Sequence, residues 1–290
     1  MLYNIWGGAD FRIQPVYRII YSFHMPLFMT VSGYFSVSSM RMPFVQMIYK
    51  KAIQLILPAL IWSVIAYYVH SACDGEMSLK LHLIEDYWFL KSCFVCYILL
   101  WVCLNVRLNI WIWIIASVVL SQFVDSYRIS FMYPCFLLGC ALNYYPKFKN
   151  VVTKYYIVIG VFFVSILFVN YEKGCSLLSK SFISYLTGFL GSLFFIGLFI
   201  KRFSRFNEAG IINKLISVCG KDTLGIYLVQ LILLETLIPY YLQLDTLTFF
   251  SFNFVLTPIT ALIVLATSMC MITVIKRNKY LRLILLGSIK

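Results

Sequence analysis

The stretch SFHMPLFMTVSGYF, residues 22–35, decides how the rest of the chain is read. It is apolar enough to be buried, yet it carries His24 two residues before Pro26, with Ser32 and Gly33 further on. A helix built only to pack or to span lipid has no use for a histidine, because an unsatisfied ring in hydrocarbon costs free energy. The surroundings of the stretch say which environment applies.

Of the 290 residues, 62% are hydrophobic and 12% are charged. A soluble domain carries about a quarter of its residues as charges, so most of this surface faces lipid. Uncharged runs lie at 19–40, 52–73, 92–106, 108–124, 129–146, 155–171, 181–200, 223–244 (interrupted only by Glu235) and 246–275, which gives nine spans. A hydrocarbon core takes about 20 apolar residues as helix. Polar and apolar residues do not alternate, and lipid leaves no backbone group unpaired, so the spans are helices. The expected fold is an all-α, polytopic transmembrane helical bundle forming one integral membrane domain over residues 1–290. Only Arg107, within LNVRLN, separates the third and fourth runs, which predicts a tight helical hairpin. The longest external loop, 74–87, is amphipathic and reads as interfacial.

The net charge of +13 would point to nucleic acid in a soluble chain. Here the basic residues sit in short loops, so they read as a topology signal and no nucleic-acid partner is expected. With residue 1 outside, 17 of the 24 Lys and Arg residues fall on the inner side, and 8 of the 11 acidic residues fall outside. The nine cysteines lie mostly in apolar runs, and Cys93 and Cys96 have no histidine or carboxylate beside them. They read as small hydrophobes. Phosphate-binding glycine loops and zinc spacings are absent from the sequence, and no metal or bound cofactor is expected. No cleavable signal peptide is visible at the start, MLYNIWGGADFRIQP.

Four stretches in order carry a family likeness: SFHMPLFMTVSGYF, KKAIQLILPALIW (50–62), YWFLKSCFVCYIL (87–99) and GKDTLGIYLVQ (220–230), followed by a last span and the basic LRLILLG. Together they resemble the acyltransferase-3 family, integral membrane enzymes that acylate polysaccharides and other cell-surface glycans. The resemblance implies an O-acyltransferase of the bacterial plasma membrane, with acyl-CoA, most simply acetyl-CoA, as donor and a glycan or glycolipid as acceptor. The family has one span more, ten, and its first span carries the histidine usually regarded as catalytic. This chain starts just after the place where that helix ends. Nine spans and an external start both follow from one helix fewer, through a truncated start or through divergence to a member lacking that histidine.

Within the chain, the chemistry falls first to His24 and Glu235. His24 sits six to eight residues below the outer end of its span, by count. A neutral imidazole there can take the proton of an acceptor hydroxyl, and a structural hydrogen bond to a neighbouring helix is the other reading. Glu235 is the only charged residue inside a span and lies at a similar depth. Its candidate partners are His24, Arg18 and Arg128. A carboxylate paired with His24 would fix the ring tautomer, so the first and eighth helices are expected to be neighbours. Lys50 and Lys51 open the second span, as topology anchors or as point charges for the acyl-CoA phosphates. Arg18, Ser32, Trp88 and Gln230 complete the substrate-binding set. Ser32-Gly33 also suits close helix approach, and Trp88 suits the aromatic belt. His70 and His82 read as interfacial. A transporter or flippase for a lipid-linked glycan, or an inactive paralogue, fits the same composition. Reporter fusions after Asn278 and within 147–154 should read cytoplasmic and fusions near Glu76 external; a cytoplasmic signal from Glu76 would overturn the orientation.

Overall fold

In a computed structural model, residues 15–73, 78–105, 110–123, 128–172, 182–203, 210–233 and 257–288 are described. The elements run α1 (Pro15–Met40), α2 (Phe44–Lys51), a π-helical turn (Ala52–Ile56), α3 (Leu57–Cys73), α4 (Leu79–Glu85), α5 (Trp88–Asn105), α6 (Ile110–Gln122) and α7 (Ile129–Tyr144). They continue with α8 (Pro146–Glu172), α9 (Phe182–Phe203), α10 (Ile211–Lys221), α11 (Thr223–Ile232), α12 (Thr257–Lys276) and α13 (Lys279–Leu286). Among the described residues there is no strand, and each of the nine apolar runs contains helix. The fold is an all-α membrane bundle.

Five described helices are long and apolar enough to cross a membrane: Phe44–Ala72, Trp88–Asn105, Pro146–Val169, Phe182–Arg202 and Pro258–Lys276. The runs at 129–146 and 223–244 yield shorter apolar helices, Ile129–Tyr144 and Thr223–Ile232. At 26 residues α1 is long enough, but its serines, threonine and histidine keep it below the apolarity of those five. Length and composition establish five spans among the described residues; parts of the runs at 108–124, 181–200, 223–244 and 246–275 lie outside those residues, so the count of nine is not tested. The Arg107 turn between α5 and α6 lies outside the described residues.

The chain divides into two compact units, one holding Pro15–Tyr49 and Lys91–Phe206, the other Lys50–Leu90 and Asn207–Lys290. In the first, α1 and α7 touch backbone to backbone. A Cβ on Gly33 would stand 2.0 Å from the Phe136 carbonyl oxygen, and one on Gly139 would stand 1.8 Å from that of Thr30. Small residues are what permit such approach in lipid, where packing replaces the hydrophobic effect. The contact buries one stripe of α1, Ser22, Pro26, Met29, Thr30, Gly33 and Ser36, at helical spacing. Asn143 Nδ2 donates to the Tyr34 carbonyl at 2.8 Å across the same joint. On the side toward α9, Gly191 admits Phe23, whose ring stacks on Phe195 at 4.2 Å.

Pro134 lies inside α7. It has no N–H to offer the carbonyl four residues back, that of Ser130. Gln122 Nε2 and Tyr185 Oη each donate to that carbonyl at 3.0 Å, so a proline-freed acceptor becomes a tie among α6, α7 and α9. The second unit solves the same problem differently. Pro58 cannot serve the Gln54 carbonyl, and the preceding turn runs in π register, with the Leu57 N–H bonded to the Ala52 carbonyl. Gly287, left-handed at φ 61°, comes so near that a Cβ would lie 2.7 Å from the carbonyl oxygens of both Ile53 and Gln54. Trp62 Nε1 donates to the Leu285 carbonyl at 2.8 Å, holding α13 on α3. Around these ties Ala59, Trp62, Tyr87, Leu228, Val229, Ile272 and Leu286 form the core. Asp222, before α11, pairs with Lys276 in the last turn of α12.

Gly139→Ala should lower the thermal midpoint, costing about 1–3 kcal/mol or more because only backbone stands in its way. Gly220→Ala, with open space around it, should leave the midpoint unchanged or raise it. Thiol reactivity of the buried Cys135 on heating in detergent reads both.

Candidate active site

His24 is half-buried on α1. Its Nδ1 lies 3.0 Å from the carbonyl oxygen of Ile20, one turn earlier. A carbonyl only accepts, so Nδ1 carries the hydrogen and the lone pair of the neutral ring is at Nε2. The Tyr21 ring stands at 4.8 Å, tilted by 57°. His24 therefore satisfies one nitrogen within its own helix and keeps the other as a proton acceptor. It lies away from the stripe that packs on α7, on the face shared with the exposed Ile20, Phe28, Val31 and Phe35. Ser32 is half-buried two turns further along.

Glu235, and with it the expected pairing to His24, lies outside the described residues. Arg18 stands on α1 by its backbone, and its side chain is likewise outside. Lys50 and Lys51 close α2 directly before the π-helical turn, both half-buried. Trp88 opens α5, half-buried, with its ring edge-on to Phe89 at 6.3 Å. Gln230 is half-buried in α11. His24 and Ser32 thus belong to the first unit, and Lys50, Lys51, Trp88 and Gln230 to the second.

The structure adds residues that the sequence reading placed at the interface. His82 is 8% exposed. Its Nδ1 lies 2.7 Å from Asp86 Oδ2 within α4 and its C-terminal turn. The His70 ring, from the end of α3, meets it at 5.5 Å, and the Tyr67 ring at 5.8 Å. The signal for the pair was present in HLIED, since positions four apart share a helix face. The buried cluster was not legible, because it depends on α4 folding back onto α3. Lys50 and Lys51 lie within the continuous helical run Phe44–Ala72, whose far end carries His70 beside His82. At 1.5 Å per residue, His70 stands roughly 28 Å of helix from Lys51.

A bundle of apolar helices with basic side chains near one end of a span defines a multi-pass membrane protein. The acyltransferase domain family matches residues 1–276, and the chain belongs to that family. The nodulation protein NolL of Mesorhizobium japonicum is 35% identical over 153 residues, which are 47% of this chain and 41% of that protein. NolL of Sinorhizobium fredii is 28% identical over 151 residues, again 47% and 41%. The match thus spans less than half the length of these curated relatives. No solved structure matches.

Asp86→Asn should weaken the hold of α4 on its own turn. A hydrogen bond to a charged group is worth about 1.5–3 kcal/mol, so amide exchange over 79–86 should quicken by roughly ten-fold or more. Unchanged exchange would show that α4 is held by packing alone.

Proposed function

We propose that this chain is a membrane O-acyltransferase of the bacterial plasma membrane, moving an acyl group, most simply acetyl, from cytoplasmic acyl-CoA to a hydroxyl of a cell-surface glycan or glycolipid. Family membership supports the reaction class. The observation that carries the residue assignment is the His24 Nδ1 bond to the Ile20 carbonyl, which leaves Nε2 free to accept a proton. His24 takes the proton of the acceptor hydroxyl as its oxygen attacks the thioester carbonyl carbon. The carbon–sulfur bond breaks, the ester forms, and the imidazolium returns its proton to the leaving thiolate. Glu235 is assigned to orient the ring or stabilise its charged form.

Lys50 and Lys51 are assigned to the donor phosphates as point charges on the cytoplasmic side. That side is set by the inner excess of basic residues, with the C-terminus of the chain inside. Arg18, Ser32, Trp88 and Gln230 complete the substrate set.

The test is transfer of label from acetyl-CoA to surface glycan by membranes holding the intact chain. His24→Ala should reduce transfer by about 10²–10⁴-fold, the usual contribution of general acid–base catalysis, with insertion unchanged by protease mapping. Full transfer by His24→Ala would remove it from the reaction. Glycan crossing the membrane with no label incorporated would make the chain a transporter.

A further inference from the structure

At Tyr155 the backbone of α8 leaves helical geometry, with φ −105° and ψ 19°. That kink divides α8 into a basic opening, PKFKNVVTK over 146–154, and the uncharged run that follows. Within the opening, Lys147, Asn150, Val151 and Lys154 are exposed, at spacings that put them on one helix face. Val152 turns the other way; it is buried, and its carbonyl oxygen lies 3.0 Å from where a Cβ on Gly197 of α9 would stand. The exposed stripe does not stop at the kink. It continues at the same spacing as Ile157, Val158 and Val161, all exposed. One face of α8 is thus cationic at its start and apolar along its length.

The same end of the first unit collects further bases. The α8 and α9 helices run antiparallel, since Gly197 lies against Val152 and Tyr156, and Gly191 against Phe163. Lys201 and Arg202, in the last turn of α9, therefore stand about level with the start of α8. The α1 and α7 helices run parallel, with Gly33 against Phe136, and Tyr34 against Gly139 and Asn143. Arg41 accordingly leaves α1 at this end too. Lys149 is fixed there, its Nζ donating to Tyr34 Oη at 3.0 Å. Lys154 Nζ stands 5.2 Å over the Tyr155 ring, and Tyr144 and Tyr145 are exposed close by in sequence. The segments that make up the unit hold two carboxylates, Asp125 and Glu172. These fall before α7 and at the end of α8, the far ends of both helices. A topology signal accounts for the sign of the basic residues. It does not account for ammonium groups and tyrosine rings arranged at the head of an exposed apolar stripe.

We propose that this face of α8 is a binding site for an anionic phospholipid. Lys147 and Lys154 hold the phosphodiester, and the acyl chains lie along Ile157, Val158 and Val161. Lys154 stands two turns into α8, and its side chain carries the charge back toward headgroup depth, because helical side chains lean to the N-terminus and long amines snorkel. Lys149, committed to Tyr34, adds charge to the surroundings without reaching the same face, as do Arg41, Lys201 and Arg202. A basic cluster beside an apolar helix face attracts acidic headgroups through charge and retains them through their chains. A soluble anion would use the lysines and leave the apolar stripe idle, which is why a lipid fits better. None of these residues is assigned to acyl transfer, and Lys50 and Lys51 belong to the second unit. The lipid site therefore stands or falls apart from that reaction.

The test uses the full chain in a neutral detergent, titrated with dioleoyl phosphatidylglycerol or dioleoyl phosphatidylcholine, with bound lipid counted by native mass spectrometry. Phosphatidylglycerol should bind saturably and more tightly than phosphatidylcholine, and high salt should weaken it. Lys154→Gln should weaken binding by about five-fold and Lys147→Gln with Lys154→Gln by about twenty-five-fold, the attraction expected of each lysine near an acidic headgroup. Lys149→Gln should weaken it less than Lys154→Gln does. Lys147→Arg with Lys154→Arg keeps both charges and should bind as the parent chain does. Lys80→Gln, an exposed lysine of the other unit, should leave binding unchanged. The site is refuted if phosphatidylcholine binds as tightly as phosphatidylglycerol, or if the paired glutamine variant binds as the parent chain does. It is refuted equally if coenzyme A displaces the lipid, which would make the occupant a soluble phosphate compound. Should the glutamine pair not fold, salt on the parent chain decides, and binding that is the same at low and high salt overturns the proposal.

Discussion

A backbone carbonyl deprived of its helical partner cannot turn to water inside an apolar bundle, and leaving it bare there costs several kcal/mol. Each unit of this protein meets that constraint with a proline and a specific answer to it. Pro134 strips the Ser130 carbonyl of its donor, and Gln122 and Tyr185 take over from two other helices. Pro58 strips the Gln54 carbonyl; the turn before it shifts to π register and the chain at Gly287 closes against it. In both places the irregularity becomes the joint. Helices that in lipid have little hydrophobic reason to associate are tied where one of them is locally broken.

The same logic governs polar side chains, and it separates structural from chemical roles. Thr30, Ser36, Ser63, Thr187 and Ser192 each donate to a carbonyl of their own helix three or four residues earlier. Their hydroxyls are spent locally, which is how a helix carries such residues through an apolar region. Two imidazoles depart from this pattern because each has a second nitrogen. His24 and His82 both commit Nδ1, one to a carbonyl and one to a carboxylate. In the neutral form of each ring the lone pair is then at Nε2. That shared feature, rather than depth in the bilayer, sets these two rings apart from the hydroxyls.

The second unit also keeps two polar clusters apart. The continuous helical run Phe44–Ala72 carries its paired lysines near one end and leads to the His70–His82 contact beyond the other. The lysine pair and the imidazole pair are thereby separated by about the length of one span. The π-helical turn with its docked Gly287 sits next to the lysines, so the basic end is stiffened by backbone packing and not by side chains alone.

Composition and the spacing of charges were enough to establish an all-helical membrane chain, because a surface so poor in charge has no stable arrangement in water and lipid admits few backbone forms. Four short motifs were enough for the family. His24 stood out as a polar residue in an apolar run, and HLIED already held His82 and Asp86 at a helical spacing. What only the tertiary structure decided was which atoms remain available. Whether a histidine is spent or free depends on whether a carbonyl or carboxylate happens to lie within 3 Å of one nitrogen. Whether it is buried depends on a second helix folding over it. Gly33 and Gly139 likewise read as small residues in sequence, and only the backbone contact between α1 and α7 shows that neither has room for one more carbon. Burial and tautomer are properties of neighbours brought together by the fold, and the order of residues along the chain does not contain them.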